Sequence, residues 1–331
     1  MKRLIFILFW AIVVMLSCRK NDGETKVEIP KFNFPQTITF QPKLSSYHIF
    51  KGIPSNLIPA EEFQLLELNS TLFTDYAHKQ RLMKVPLGGL IEKRSDGSLD
   101  YPDGTILTKT FFYFKDERDT SLGKRIVETR LEIKEDGKWN IATYQWNDSQ
   151  TDATLKLFGH DTPVSWINSK GNELSTLYHL PSQNECMTCH QASSKISPIG
   201  PTLLNINKTV NRDSQEVNQI SHLQSLGILQ QFSIKEIPDM VDYTDDDQPL
   251  HDRGRAYLAM NCSHCHNANA WNIPAEKGFD FRYETPFEYT GIQNGKERIS
   301  RNVLNGEMPF IGTTMKDQEG IALVVEYLNA L

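Results

Sequence analysis

The feature that most constrains this 331-residue chain is a pattern it carries twice: Cys186-x-x-Cys189-His190 and Cys262-x-x-Cys265-His266. A Cys-x-x-Cys pair alone has three readings. Four thiolates from two such pairs would satisfy a structural zinc ion, but the gap between these pairs far exceeds the spacing of a zinc ribbon. A redox dithiol of the thioredoxin type would precede a helix in an α/β pattern, which the intervening sequence lacks. The trailing histidine selects the third reading, attachment of c-type haem: two thiols hold the porphyrin as thioethers and the next residue ligates iron. With five cysteines and nine histidines in the chain, chance would supply roughly 0.002 such motifs, and there are two. The expectation is two covalent haem c groups, bound by Cys186, Cys189, Cys262 and Cys265, with His190 and His266 as proximal ligands. Met187 and His264 fall at variable positions, and both are expected to be solvent-facing spectators.

The start of the chain points to export. A basic Met1-Lys2-Arg3 precedes an apolar run from Leu4 to Leu16, too short for the ~20 residues of a spanning helix and suited to a signal peptide. Leu16-Ser17-Cys18 resembles the lipobox of bacterial lipoproteins, which implies that Cys18 is lipidated and anchors the protein to the cell envelope, on the periplasmic side or the outer-membrane surface. That accounts for the odd cysteine and leaves none for a disulfide framework. Residues 18–45 are polar and proline-bearing and read as a tether. The net charge of −6, with no basic stripe, argues against a nucleic-acid partner.

From 46 to 172 the pattern is β. Val127, Thr129, Leu131 and Ile133 alternate with Glu128, Arg130, Glu132 and Lys134, which reads as one buried and one wet face. Asp136-Gly137 supplies a hairpin turn. His48, His78, His160 and His179 are scattered singly and form no catalytic constellation. Beyond Gly171 the texture changes to loops and short helices. A helical period leads through Leu250, Gly254, Tyr257 and Leu258 into the second motif, and another closes the chain through Ile321, Val324, Val325 and Leu328.

The stretches "PIGPTLLNIN", "RGRAYLAMNCSHCHN" and "GEMPFIGTT" carry a resemblance to class I cytochrome c modules. With "LFTDYAHKQR", "YPDGTILTKTFFYF" and "ATYQWNDSQTDA", the chain after the tether is similar to dihaem c-type cytochromes with a β-rich N-terminal region. The resemblance implies a multidomain fold, an all-β domain (46–172) followed by two small, mainly α haem modules (173–248 and 249–331). It implies that the Pro201 carbonyl accepts the second ring proton of His190, that Gly254 lets the first and last helices of the second module cross closely against Tyr327 or Leu328, and that Met308 is the distal ligand of the second haem. For the first haem Met240 holds the analogous place, with Met260, His222, His251 or an open position as alternatives. Pro181 interrupts the segment before Cys186, so the first module departs from the pattern. The implied activity is electron transfer with redox protein partners and a membrane contact through the lipid. A dihaem peroxidase-like enzyme and a binding protein whose β domain docks a partner are the alternatives.

Overall fold

Alternating side chains dictate the centre of the molecule, a six-stranded antiparallel sheet with strand order β1-β2-β5-β6-β7-β8. Its strands are β1 (Gln64–Leu65), β2 (His78–Lys84), β5 (Ile106–Phe114), β6 (Lys124–Glu135), β7 (Lys138–Trp146) and β8 (Ala153–Lys156), with a small hairpin of β3 (Glu92–Lys93) and β4 (Leu99–Asp100) inserted between β2 and β5. The computed structural model describes residues 36–192, 195–268, 278–309 and 311–331. The signal segment, Cys18 and the tether as far as residue 35 lie outside the described residues. The Asp136-Gly137 turn joins β6 to β7, with both residues at positive φ (51° and 69°), as the twist of a tight hairpin requires.

One face of the sheet presents Leu82, Ile126, Leu131, Ala142, Tyr144 and Trp146 and is covered by Leu44, Ile49, Leu57 and Phe63 from the segment before β1. The polar groups on that face are paired: Trp146 Nε1 donates to Thr129 Oγ1 at 2.9 Å, and Thr129 bonds Thr110 at 2.9 Å. A bulge between Phe111 and Phe112 reverses the side-chain parity of β6. It turns Val127 to the opposite face, where it packs with Phe111 and Tyr113.

That opposite face is not wet. A hairpin of β9 (His160–Ile167) and β10 (Glu173–Leu180) covers one end through Val164, Trp166, Tyr178 and Leu180. The other end packs Met83, Leu107 and Trp139 against Leu203, Ile206, Ile220 and Leu223. Between them lie Glu128, fully buried, Glu132, 8% exposed, and the Arg130 side chain, 20% exposed. The β6 alternation implies a solvated charged stripe, but both faces of the strand are covered.

Among the described residues the α-helices are α1 (Gln183–His190), α2 (Leu203–Ile206), α3 (Gln219–Ser225), α4 (Leu250–Asn261), α5 (Ile292–Asn305) and α6 (Gln318–Asn329). Only α4, α5 and α6 build a helical core, around Leu258, Ile299, Val303, Val324, Tyr327 and Leu328. At the α4–α6 crossing Gly254 faces Tyr327, and Gly320 faces Tyr257. The first motif has no such core. Its surroundings are α1 to α3 and two two-stranded hairpins, β11 (Gln191–Ala192) with β12 (Lys195–Ile196), and β13 (Thr209–Arg212) with β14 (Gln215–Asn218).

The expected fold, an all-β domain followed by two small mainly α modules, is therefore corrected. The large antiparallel sheet dominates, and β10 continues to Leu180, past the expected start of the first module at residue 173. The physical reason is burial: α1, α2 and α3 are 8, 4 and 7 residues long, too short to enclose a core by themselves. They bury their apolar sides on the sheet instead, Cys186 and Met187 against Ile141. The described residues form one compact unit. Among them no helix is long and apolar enough to cross a membrane.

Candidate functional site

Both Cys-x-x-Cys-His motifs open onto a single cavity of about 380 Å³. Cys186, Cys189, His190, Cys262, Cys265 and His266 all stand on its wall. Much of the remaining wall is apolar, including Leu258, Phe279, Phe281, Ile299 and Val303.

The first motif is α1 itself. Pro181 ends the incoming strand, and Ser182 starts the helix with a capping box: its hydroxyl accepts from Glu185 N, and Glu185 reaches back to Ser182 N at 2.7 Å. One helical turn then carries Cys186, Cys189 and His190 to the cavity. The β11–β12 hairpin immediately reverses the chain, bringing Ser197 back opposite His190. Ser197 N donates to the His190 carbonyl at 2.7 Å, and His190 Nδ1 donates to the Ser197 carbonyl at 3.0 Å. A carbonyl only accepts, so Nδ1 carries the proton and Nε2 keeps its lone pair for a metal. The acceptor is thus Ser197 and not Pro201, because the tight hairpin makes the return four residues sooner than the looser loop assumed from sequence. Burial, reinforced by the charge of Lys109, pushes the His190 pKa down to about 3, so the imidazole is neutral as a ligand must be.

The second motif follows α4. Cys262 N donates to Leu258 O at 3.0 Å and His266 N to Cys262 O at 2.9 Å, extending a helical turn through the motif. The His266 ring lies 5.3 Å from Phe281 and 6.0 Å from Phe279, centroid to centroid. Met308 is on the cavity wall. Gly306 at φ 76° ends α5, and both Glu307 N and Met308 N fold back to Asn302 O, which delivers the methionine to the cavity.

Met240 is elsewhere. It is 4% exposed in a cluster with Leu204, Ala256, Ala259 and Met260, its N–H donates to Leu204 O at 3.1 Å, and it is absent from the cavity wall. Its place as a distal ligand is corrected: pairing with α2 holds that segment in the core between α2 and α4. Met315, which sequence reasoning passed over, does line the cavity. Its N–H and that of Thr314 both donate to the Asp75 carboxylate at 2.8 Å.

The motifs converge. Sγ of Cys189, Sγ of Cys265 and a ring nitrogen of His264 all lie within 4.8 Å of one another. His264 is half-buried, with Nδ1 finding no hydrogen-bond partner among the described residues, so it is no solvent-facing spectator; Met187, 3% exposed, is likewise packed inward. The four motif thiols are free. Burial pushes Cys186 and Cys262 up to about 12, and the Cys265 hydrogen bond together with burial raises Cys189. Reactive dithiols have the opposite shift. The donor chemistry fits haem c: paired thiols on single helical turns, an oriented neutral imidazole, a thioether, and an apolar wall.

Sequence reasoning missed the charged part of the wall. Lys109 and Arg130 reach the cavity from adjacent strands. So does His179, whose ring is held at 2.6 Å by Asp161 and 3.0 Å by Glu185. The signal was the very alternation in β6 that suggested a wet face. Searches against protein-family models, curated proteins and solved structures found no match for this chain.

Proposed function

We propose that this protein carries electrons on two covalently held haem c groups. The observation that carries the reading is the opening of both Cys-x-x-Cys-His motifs onto one cavity, with Cys189 and Cys265 side by side. Each group, when bound, supplies an iron that alternates between ferrous and ferric states and so handles one electron at a time. The protein's part is positional. Cys186 and Cys189 would hold the first group and Cys262 and Cys265 the second. His190 and His266 would ligate the irons, Ser197 fixing the orientation of His190. The phenylalanine and leucine side chains exclude water, and Met308 offers a soft thioether that favours the ferrous state. A shared cavity gives an electron a short path between the two attachment sites. Partners would be single-electron donors and acceptors, and lipidation at Cys18 would hold the protein at the bacterial envelope.

A second reading has one observation in its favour: Cys189, His264 and Cys265 offer three ligand atoms in the proximity that a tetrahedral zinc ion needs. Expression in a host competent in haem attachment separates the two. Under the first reading a denaturing gel stained for haem peroxidase activity gives a band, and the alkaline pyridine spectrum counts two haems per chain. Both vanish when Cys186, Cys189, Cys262 and Cys265 are all replaced by Ala. A colourless protein that retains zinc through Cys189 and Cys265 sinks the haem reading. Carbon monoxide binding to the reduced protein without displacement of a ligand band would favour the peroxidase-like alternative over pure transfer.

A further inference from the structure

The inner face of the sheet carries more positive charge than its own carboxylates can answer. In register across three strands, Arg81 of β2 stands beside Lys109 of β5, and Lys109 beside Arg130 of β6. Alternation puts all three on the face that closes the cavity, and Lys109 and Arg130 are on its wall. Like charges on directly opposed residues destabilise a sheet, so this row needs a counter-charge.

Arg130 has one. Its guanidinium meets Glu128 Oε1 at 2.5 and 3.0 Å, Tyr178 donates to the same oxygen at 2.6 Å, and Arg130 lies 4.6 Å from the Phe111 ring centre. That group is closed. Glu132 is shared: its carboxylate answers the Lys109 and Arg130 charges in part and also stands 3.9 Å from His190 Nδ1. Lys109 and Arg81 make no ion pair within 4.0 Å among the described residues, and Arg81 Nε is buried without a hydrogen-bond partner. Two cations beside an apolar cavity that share one carboxylate are left partly uncompensated unless an anion enters to meet them.

We infer that Lys109, with Arg81 next to it in the row and off the cavity wall, is a seat for the propionate carboxylates of the haem attached at Cys186 and Cys189. This rests on the haem reading. The motif itself supplies the direction: α1 lies over β7 with Cys186 against Ile141, and Thr143, two residues along, is the register partner of Arg130. The cationic row therefore begins beside the first motif. Haem presents two flexible carboxylates at one edge, and a lysine ammonium with a neighbouring guanidinium matches them in charge and in donors. The β-sheet is then a wall of the redox site, and its cations favour the state with the added electron.

The test uses the haem-loaded protein and replaces Lys109 and Arg81 by Met, singly and together, with Lys109→Arg as the charge-keeping control. Three quantities are read: covalent haem per chain, the propionate bending modes in resonance Raman, and both midpoint potentials. The expected result is two haems retained, because attachment runs through cysteine. One set of propionate modes shifts and one midpoint potential falls, while the other haem is unchanged and Lys109→Arg restores the parent values. Should Lys109→Met not fold, Arg81→Gln carries the same expectation. A double variant with two haems, unshifted propionate modes and parental potentials overturns the seat alone. A parent chain that takes no covalent haem overturns the haem reading and the seat with it.

Discussion

Replacing Gly254 by Ala tests the packing that holds the second motif. Helix propensity alone makes Gly→Ala within a helix worth a gain of about 1 kcal/mol. The α4–α6 crossing reverses that sign. A Cβ at Gly254 would stand 2.7 Å from Tyr327 Cβ and nearer still to its ring. Ordinary carbon contacts lie at about 3.5–4.0 Å, so the helices must part by about 1 Å or Tyr327 must leave its place. Tyr327 is 1% exposed and stands next to Leu328 in the core of the three helices. Overpacking of this kind costs about 1–3 kcal/mol, and because the added atom is fixed to backbone we place it at the upper end, for a net loss of about 2 kcal/mol after the propensity gain. Guanidinium unfolding followed by far-UV circular dichroism measures it. Because α4 ends at Asn261, one residue before Cys262, haem attachment at the second motif should fall as well. In a Tyr327→Ala background the same substitution has nothing to strike, and the propensity gain should reappear. A Gly254→Ala protein more stable than its parent by about 1 kcal/mol would refute the argument, since it would mean that propensity decides and the close crossing does not.

Two further outcomes follow from the site. Met308→Ala should abolish the long-wavelength sulfur-to-iron band of the ferric protein and lower one midpoint potential, whereas Met240→Ala should leave the spectrum intact and cost about 2–5 kcal/mol as a core truncation. Asp75→Asn replaces a carboxylate that accepts from Thr314 N, Thr314 Oγ1 and Met315 N at 2.8 Å each; the loss should be about 1–3 kcal/mol, and protease cleavage near Thr314 should accelerate.

What could be read from the sequence was set by local rules. Cys-x-x-Cys-His needs only one turn of helix, and both motifs reach the cavity with that spacing. Gly254 was legible only through the resemblance to class I cytochrome c modules, since a lone glycine in a helical period does not by itself say which helix crosses it. The errors share a cause: they depended on which segment covers which. Glu128, Arg130 and Glu132 follow a period of two that says two faces exist, and nothing in that period says the charged face is roofed by β10 and α1. The Ser197 acceptor was hidden because a two-residue strand, Gln191–Ala192, is too short to leave a pattern. Met240 was placed by counting residues from a proline, and the count cannot see the hydrogen bond to Leu204 that draws the segment inward.

The two motifs are alike in sequence and differ in what stands behind them. Behind Cys262 is a helical crossing in which paired Gly and Tyr residues let two helices approach closely, and that core is complete without the sheet. Behind Cys186 there is an eight-residue helix, below the length at which a helix holds by itself. Its capping box fixes where it begins, and Ser197 fixes the ring at its end. The remaining support must come from β6 and β7, through Ile141 against Cys186 and Met187. The sheet therefore does for the first motif what the helix crossing does for the second. The cations of β2, β5 and β6 lie in one row on that same face, which is why the propionate seat inferred above would serve the first haem and not the second.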